Sequence, residues 1–244
     1  MLPLVLRGVA GYGLASRVAL PPRIRYIPPF IASTFWRNHT PESRMPVITS
    51  SSGATRSSLF EQLKARVVLL GLFVGSMWVT FLLSVALPFL HLNRLGVVPR
   101  TFSGLRGILF APWLHASFLH IMSNTPGLLV LGWLCMWPRI AHFWQATIGG
   151  MLGAGLCAWL FGATYSVHIG ASGVVFGYAG YLIAYGFYSR KFVPTLIALF
   201  VAGSYGISMF YGVLPLTPGV SWQSHLGGLA GGIFAAKLFH QKSA

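Results

Sequence analysis

The sequence predicts an all-α membrane protein: a bundle of six transmembrane helices with an embedded loop between the first two. Three observations carry that prediction. Of the 244 residues, 55% are hydrophobic and only 8% are charged, against roughly 25% charged in a soluble domain. The apolar residues fall into six runs, at about 67–90, 118–137, 143–161, 171–188, 192–211 and 222–239. A helix crossing a ~30 Å hydrocarbon core needs about 20 residues, and these runs have that length. Between them lie breaks that hold six of the eight charged residues beyond residue 67.

Residues 1–57 form a separate, basic region. Arg7, Arg17, Arg23, Arg25, Arg37, Arg44 and Arg56 stand against the single acid Glu42, and Ser50–Gly53 is linker-like. The expected form is a disordered tail on the cytosolic side. An Arg-rich, acid-poor organelle-targeting segment is the alternative. The helical domain is expected over 65–240. Backbone groups in lipid must be satisfied internally, so the apolar runs are helices. The first connection, 91–117, is long and half-apolar and carries Pro99, Gly104, Gly107 and Pro112. A loop of that kind in a small bundle is embedded or functional rather than a plain linker.

Charge sets the orientation. Arg56, Lys64, Arg66, Arg139, Arg190, Lys191, Lys237 and Lys242 fall on one side of the six-helix topology, and Arg94, Arg100 and Arg106 on the other. The positive-inside rule then puts both termini in the cytosol. The formal charge of +15 is therefore topological. No basic stripe with interleaved aromatics accompanies it, so no nucleic-acid partner is expected. Cys135 and Cys157 lie inside apolar runs and read as small packing residues.

Aspartate is absent, and the only glutamates, Glu42 and Glu61, precede the first apolar run. Acid–base chemistry within the bundle would have to use serine and histidine. With this orientation the second, fourth and sixth runs begin on the outer side. His115, His120 and Asn124, then His168 and Ser172, then His225 lie at or near those beginnings. Polar residues inside a membrane are costly and point to function.

Ser172 sits in Gly170-Ala171-Ser172-Gly173, where flanking glycines permit a sharp turn and a close neighbour. It would occupy a first helical turn with free N–H donors, suited to an oxyanion. A plain helix-capping serine is the ordinary alternative. His225 opens the sixth run, ahead of Gly228 and Gly232, and Gly173, Gly177 and Gly180 line the fourth. Such small-residue faces let membrane helices approach closely, which would bring the His225 imidazole to the Ser172 hydroxyl as a general base. A locally bonded interfacial histidine is the alternative. His120 and Asn124 are spaced i, i+4 on one helix face and could both donate to one point. No His-Glu-x-x-His, carboxylate cluster or cysteine pair supports a metal site, and histidines clustered at helix ends do not suit a haem. No cofactor is expected.

Together these motifs resemble the rhomboid intramembrane serine proteases, over about 65–240. The matching elements are His115-x4-His120-x3-Asn124, Gly170-Ala171-Ser172-Gly173 and His225-x2-Gly228-x3-Gly232, in that order. The resemblance implies a rhomboid-like bundle with Ser172 as nucleophile and His225 as base. It implies an oxyanion hole from His120, Asn124 and the Ser172 N–H, with a further contribution from Ala171. His115 would support the loop, and Phe176 would pack on the base, where many relatives carry tyrosine. The first loop of the family often carries a Trp-Arg pair, for which Leu105-Arg106 is the nearest match. The implied substrates are single-pass membrane proteins, cut within or beside their helices in the lipid bilayer. Entry is expected near the fifth run and residues 212–221, in the plasma membrane or, alternatively, an organelle membrane. A client-binding protein of the same fold without protease activity, and a small-solute channel or carrier, are the competing readings.

Overall fold

In the computed structural model, residues 52–137 and 139–241 are described. The expected tail over 1–51 lies outside the described residues. Among the described residues there are six helices of 18 residues or more. They are α1 Ser52–Ala86, α2 Phe118–Cys135, α3 Ile140–Phe161, α4 Ser172–Ser189, α5 Phe192–Gly212 and α6 Trp222–Gln241. Three segments, Ser58–Ala86 in α1, Phe118–Cys135 and Phe192–Gly212, are long and apolar enough to cross a membrane by length and hydropathy alone. The other three helices are rich in the small and polar residues that packing and chemistry require, which dilutes their hydropathy. The sole extended pairing among the described residues is an isolated bridge between Val97 and His168.

Helix α1 starts at Ser52, so Ser52–Ser57, which the composition assigns to the tail, are helical. Its first turns are largely exposed beyond Ser58, so they carry no apolar periodicity to read. Glu61 and Lys64 share a face at i, i+3, an arrangement that favours helix locally. Leu70, Phe73, Val74, Met77 and Phe81 form a single buried stripe at helical spacing. The helix ends before Pro88, which cannot continue its hydrogen bonding.

The connection after α1 folds into short 3-10 turns and a single helical turn, Gly107–Phe110. Arg100 fixes it to the end of α3. Its guanidinium donates to the Leu160 carbonyl at 3.2 Å, the Gly162 carbonyl at 2.8 Å and Thr164 Oγ1 at 2.8 Å. These bonds help satisfy the carbonyls that a helix C-terminus leaves unpaired. Trp113 Nε1 donates to Ser76 Oγ at 2.9 Å and ties the same loop to α1.

Helix α4 is the centre. Ten of its 18 residues are buried, and α6, α5, α3 and α2 all pack on it. The α4–α6 seam is made of glycine: a Cβ at Gly228 or Gly232 would strike the Gly173 or Gly177 carbonyl. Gly227 and Gly231 meet Gly153 and Gly149 of α3 in the same way. Helix α5 differs sharply, burying only Val201 and Met209.

Candidate active site

The close α4–α6 seam carries Ser172, the first residue of α4, up to His225 in the first turn of α6. Ser172 Oγ lies 2.8 Å from His225 Nε2. His225 Nδ1 lies 2.8 Å from the carbonyl oxygen of Gly212, the last residue of α5. A carbonyl only accepts, so Nδ1 carries the hydrogen and Nε2 is left bare to accept from the Ser172 hydroxyl. That tautomer is the one a general base requires.

The imidazole is held on its face as well. Phe176, one turn beyond Ser172 on α4, stacks on His225 with centroids 4.2 Å apart and planes 12° from parallel. Gly212 fits this corner because a Cβ there would meet the Phe176 ring at 2.5 Å. His225 is 8% exposed. Its base is therefore fixed by packing and by one backbone carbonyl at a helix C-terminus, the partially negative end of the helix dipole.

On the opposite wall, α2 is capped by Ser117, whose hydroxyl accepts from the His120 N–H at 3.2 Å. This cap sets His120 and Asn124 on the face towards Ser172. Both line the same cavity as Ser172 and His225. The His120 ring occupies the space a Cβ on Gly170 would need, and Gly170 has φ +115°. That position is open only to glycine on both counts. Asn124 is buried and donates one amide hydrogen to the His120 carbonyl at 3.0 Å, leaving its second for the cavity.

Ala171 is placed differently from the expectation. Its N–H points to His115 Nε2, 3.4 Å away, so that donor is turned from the cavity and engaged. His115 is 1% exposed and packs edge-on to His120, with centroids 5.0 Å apart. Burial, and then the neighbouring His120, lower its pKa from 6.5 to about 4. His115 thus fastens the Ser172 turn as a neutral acceptor. The N–H of Ser172, at the free end of α4, meets no acceptor among the described residues. Arg106 has no hydrogen bond resembling that of Arg100, the arginine that anchors the loop here.

The cavity in front of these groups has a volume of about 1090 Å³ and, among the described residues, is lined by no Asp, Glu, Lys or Arg. Its far rim is the 218–223 stretch, which runs from the α5–α6 connection into the start of α6. Among the described residues no group of three or more His, Cys, Asp or Glu could hold a metal ion. The sequence reading missed three contributors: the Gly212 carbonyl, Arg100 and the serines that surround His168. Backbone groups carry no sequence signal, and Arg100 and Ser221 act through partners more than 50 residues away. Another buried histidine, His142, lies near the opposite end of α3 and bonds Tyr181 at 2.6 Å, remote from the cavity.

The Rhomboid domain profile matches residues 103–242, over half of the chain. The chain belongs to the rhomboid family. It is similar to uncharacterized proteins of Mycobacterium tuberculosis and Mycobacterium bovis, each 41% identical over 152 residues, covering 59% of this chain and 62% of the relative. An uncharacterized protein of Mycobacterium leprae is 38% identical over 140 residues, covering 54% of this chain and 55% of the relative. The chain thus spans less than two thirds of the length of the curated relatives it matches. No solved structure matches it significantly. With the apolar helices, membership of this family makes the chain an integral membrane protein.

Proposed function

We propose that the protein is an intramembrane serine endopeptidase that hydrolyses peptide bonds in or near transmembrane segments of other membrane proteins. The observation that carries the reading is the chain of 2.8 Å contacts from Ser172 through His225 to Gly212. Ser172 Oγ attacks the scissile carbonyl carbon while its proton passes to His225 Nε2. The resulting oxyanion takes hydrogen bonds from the Ser172 N–H, the Asn124 amide and the His120 ring, each donor contributing on the order of 10²–10³ in rate. The imidazolium then returns its proton to the leaving amine as the C–N bond breaks. Water repeats the sequence in reverse on the acyl-enzyme, and Ser172 is restored.

The imidazolium has no carboxylate to face. The α5 C-terminus takes up part of that role, because a cation at a helix C-terminus gains roughly 0.3–1 kcal/mol, and up to about 2 when partly buried. Such an arrangement fits a hydrolase that depends on positioning. Six spans with both termini cytosolic, an embedded first loop and a site opening outward complete the proposed topology. The cavity's lack of charged side chains suits an uncharged, unwound stretch of a transmembrane helix, which enters beside α5 and the 212–221 stretch.

The test is cleavage of a single-pass model substrate by the purified protein in detergent. Ser172→Ala and His225→Ala should each abolish it; retained cleavage in either variant would rule out the dyad. His120→Ala and Asn124→Ala should lower kcat more than they raise KM. Intact Ser172 and His225 weigh against a purely client-binding role. A channel would instead give solute flux in liposomes that is indifferent to Ser172→Ala.

A further inference from the structure

His168 shares the cavity with the dyad, yet no step of the proposed reaction uses it. Its imidazole is tied at both nitrogens. Nδ1 is 2.6 Å from Ser221 Oγ and Nε2 is 2.9 Å from Ser166 Oγ. Ser166 gives its own hydroxyl hydrogen to the Ala163 carbonyl at 2.6 Å. The hydrogen between Ser166 and the ring therefore sits on Nε2, and in the neutral ring Nδ1 is an acceptor for the Ser221 hydroxyl, whose one hydrogen it shares with Ser224 Oγ. Burial lowers the His168 pKa and favours that neutral form.

The ring has little room to move. Its own backbone pairs with Val97 in both directions, at 2.9 and 2.8 Å. Gly162 leaves the space beside Nε2 that any larger residue would fill. Ser221 is equally fixed: its Oγ is 2.8 Å from Ser224 Oγ and accepts from the Ser224 N–H at 3.3 Å.

The register of this bond matches that of the dyad. His168 precedes Ser172 by four residues, and Ser221 precedes His225 by four. Two cross-links of 2.6 and 2.8 Å therefore join the same two chain segments in parallel, one structural and one reactive. We propose that His168 is a positioning residue whose bond to Ser221 fixes the reach between Ser172 and His225. The inference rests on the proposed function. A displacement of about 1 Å at a reacting pair can cost on the order of 10²-fold in rate, so a clamp four residues away on each segment has leverage on turnover. A residue that instead touched substrate would act on KM.

Amide side chains of two lengths separate the two ring nitrogens. His168→Asn would place an amide where Nδ1 stands, and His168→Gln would place one near the position of Nε2. Kinetics of transmembrane-substrate cleavage by the purified full chain should show His168→Ala and Ser221→Ala each lowering kcat about 10-fold, with KM within about twofold. The double variant should be no slower than either single, because both remove one bond. His168→Asn should recover most of the rate, and His168→Gln should not. If His168→Ala fails to fold, the Asn and Gln variants carry the comparison.

Multiplicative losses in the double variant, equal behaviour of the Asn and Gln variants, or an effect confined to KM would overturn the clamp. Wild type that folds but does not cleave would sink the proposed function and this inference with it. Cleavage by wild type and its loss in Ser172→Ala, beside unaffected His168 and Ser221 variants, would sink the inference alone.

Discussion

Helices α4 and α6 meet glycine to glycine, with backbone carbonyls where side chains would otherwise stand. Helix α5 packs on the same α4 but buries only two residues and leaves Gly203 and Gly206 in open space. The first pair carries Ser172 and His225; the second helix supplies one carbonyl, Gly212 O, to the base. The parts that must meet within 2.8 Å stand on the seam with the least freedom. The part that only orients the imidazole stands on the helix with the most. Position of the nucleophile is thus built into backbone packing, whereas orientation of the base depends on where α5 rests.

The largest test of that division is Gly228→Leu. Its side chain would meet the Gly173 carbonyl, and backbone cannot yield as a side-chain tip can. We expect a loss of about 3 kcal/mol or more, at or beyond the upper end for overpacked sites, read as a collapse of the melting temperature together with all cleavage.

Acidification probes the rigid side through His115. Its folded pKa of about 4 lies below the ordinary 6.5, so the unfolded chain binds more protons between those values. Stability is full above pH 6.5 and falls as the pH drops towards 4, by roughly 3 kcal/mol for a shift of this size. His115→Gln should flatten that part of the melting-temperature profile; an unchanged slope would show that His115 is not the group responsible.

Gly212→Ala tests the α5 side. The added methyl would press on the Phe176 ring and disturb its stacking with His225. A ring can shift where a carbonyl cannot, so the expected result is about a 10-fold fall in kcat, near 1.4 kcal/mol in the barrier, with little change in melting temperature. A fold collapse like that of Gly228→Leu would show that α5 is as rigidly seated as α6.

Gly203→Ala should do least. Nothing lies within 4 Å of the new methyl, and replacing a mid-helix glycine stabilises by roughly 0.5–1 kcal/mol. Cleavage should be unchanged and the melting temperature slightly raised.

The same division explains what the sequence disclosed. Gly173, Gly177, Gly228 and Gly232 announce themselves by spacing, because small residues repeated at one helical turn have few uses other than close packing. Ser172, His225, His120 and Asn124 are legible because polar groups are rare in apolar runs. The Gly212 carbonyl is invisible, since every residue carries one. Arg100 read as a topological charge because its acceptors, about 60 residues away, are backbone carbonyls and a threonine hydroxyl. Ala171 and Ser172 are adjacent and look equally able to donate; only the approach of His115 from the loop separates them. The start of α1 at Ser52 was hidden because the turns from Ser58 onward are largely exposed and offer no buried stripe to extend backwards.

The most direct test of the central claim is reaction of the purified protein with a fluorophosphonate probe, followed by peptide mapping. A hydroxyl activated by His225 predicts a single labelled residue, Ser172, with labelling lost in His225→Ala and slowed about 10-fold in Gly212→Ala. Absence of label on Ser172 in the folded wild type, or undiminished label in His225→Ala, would contradict it.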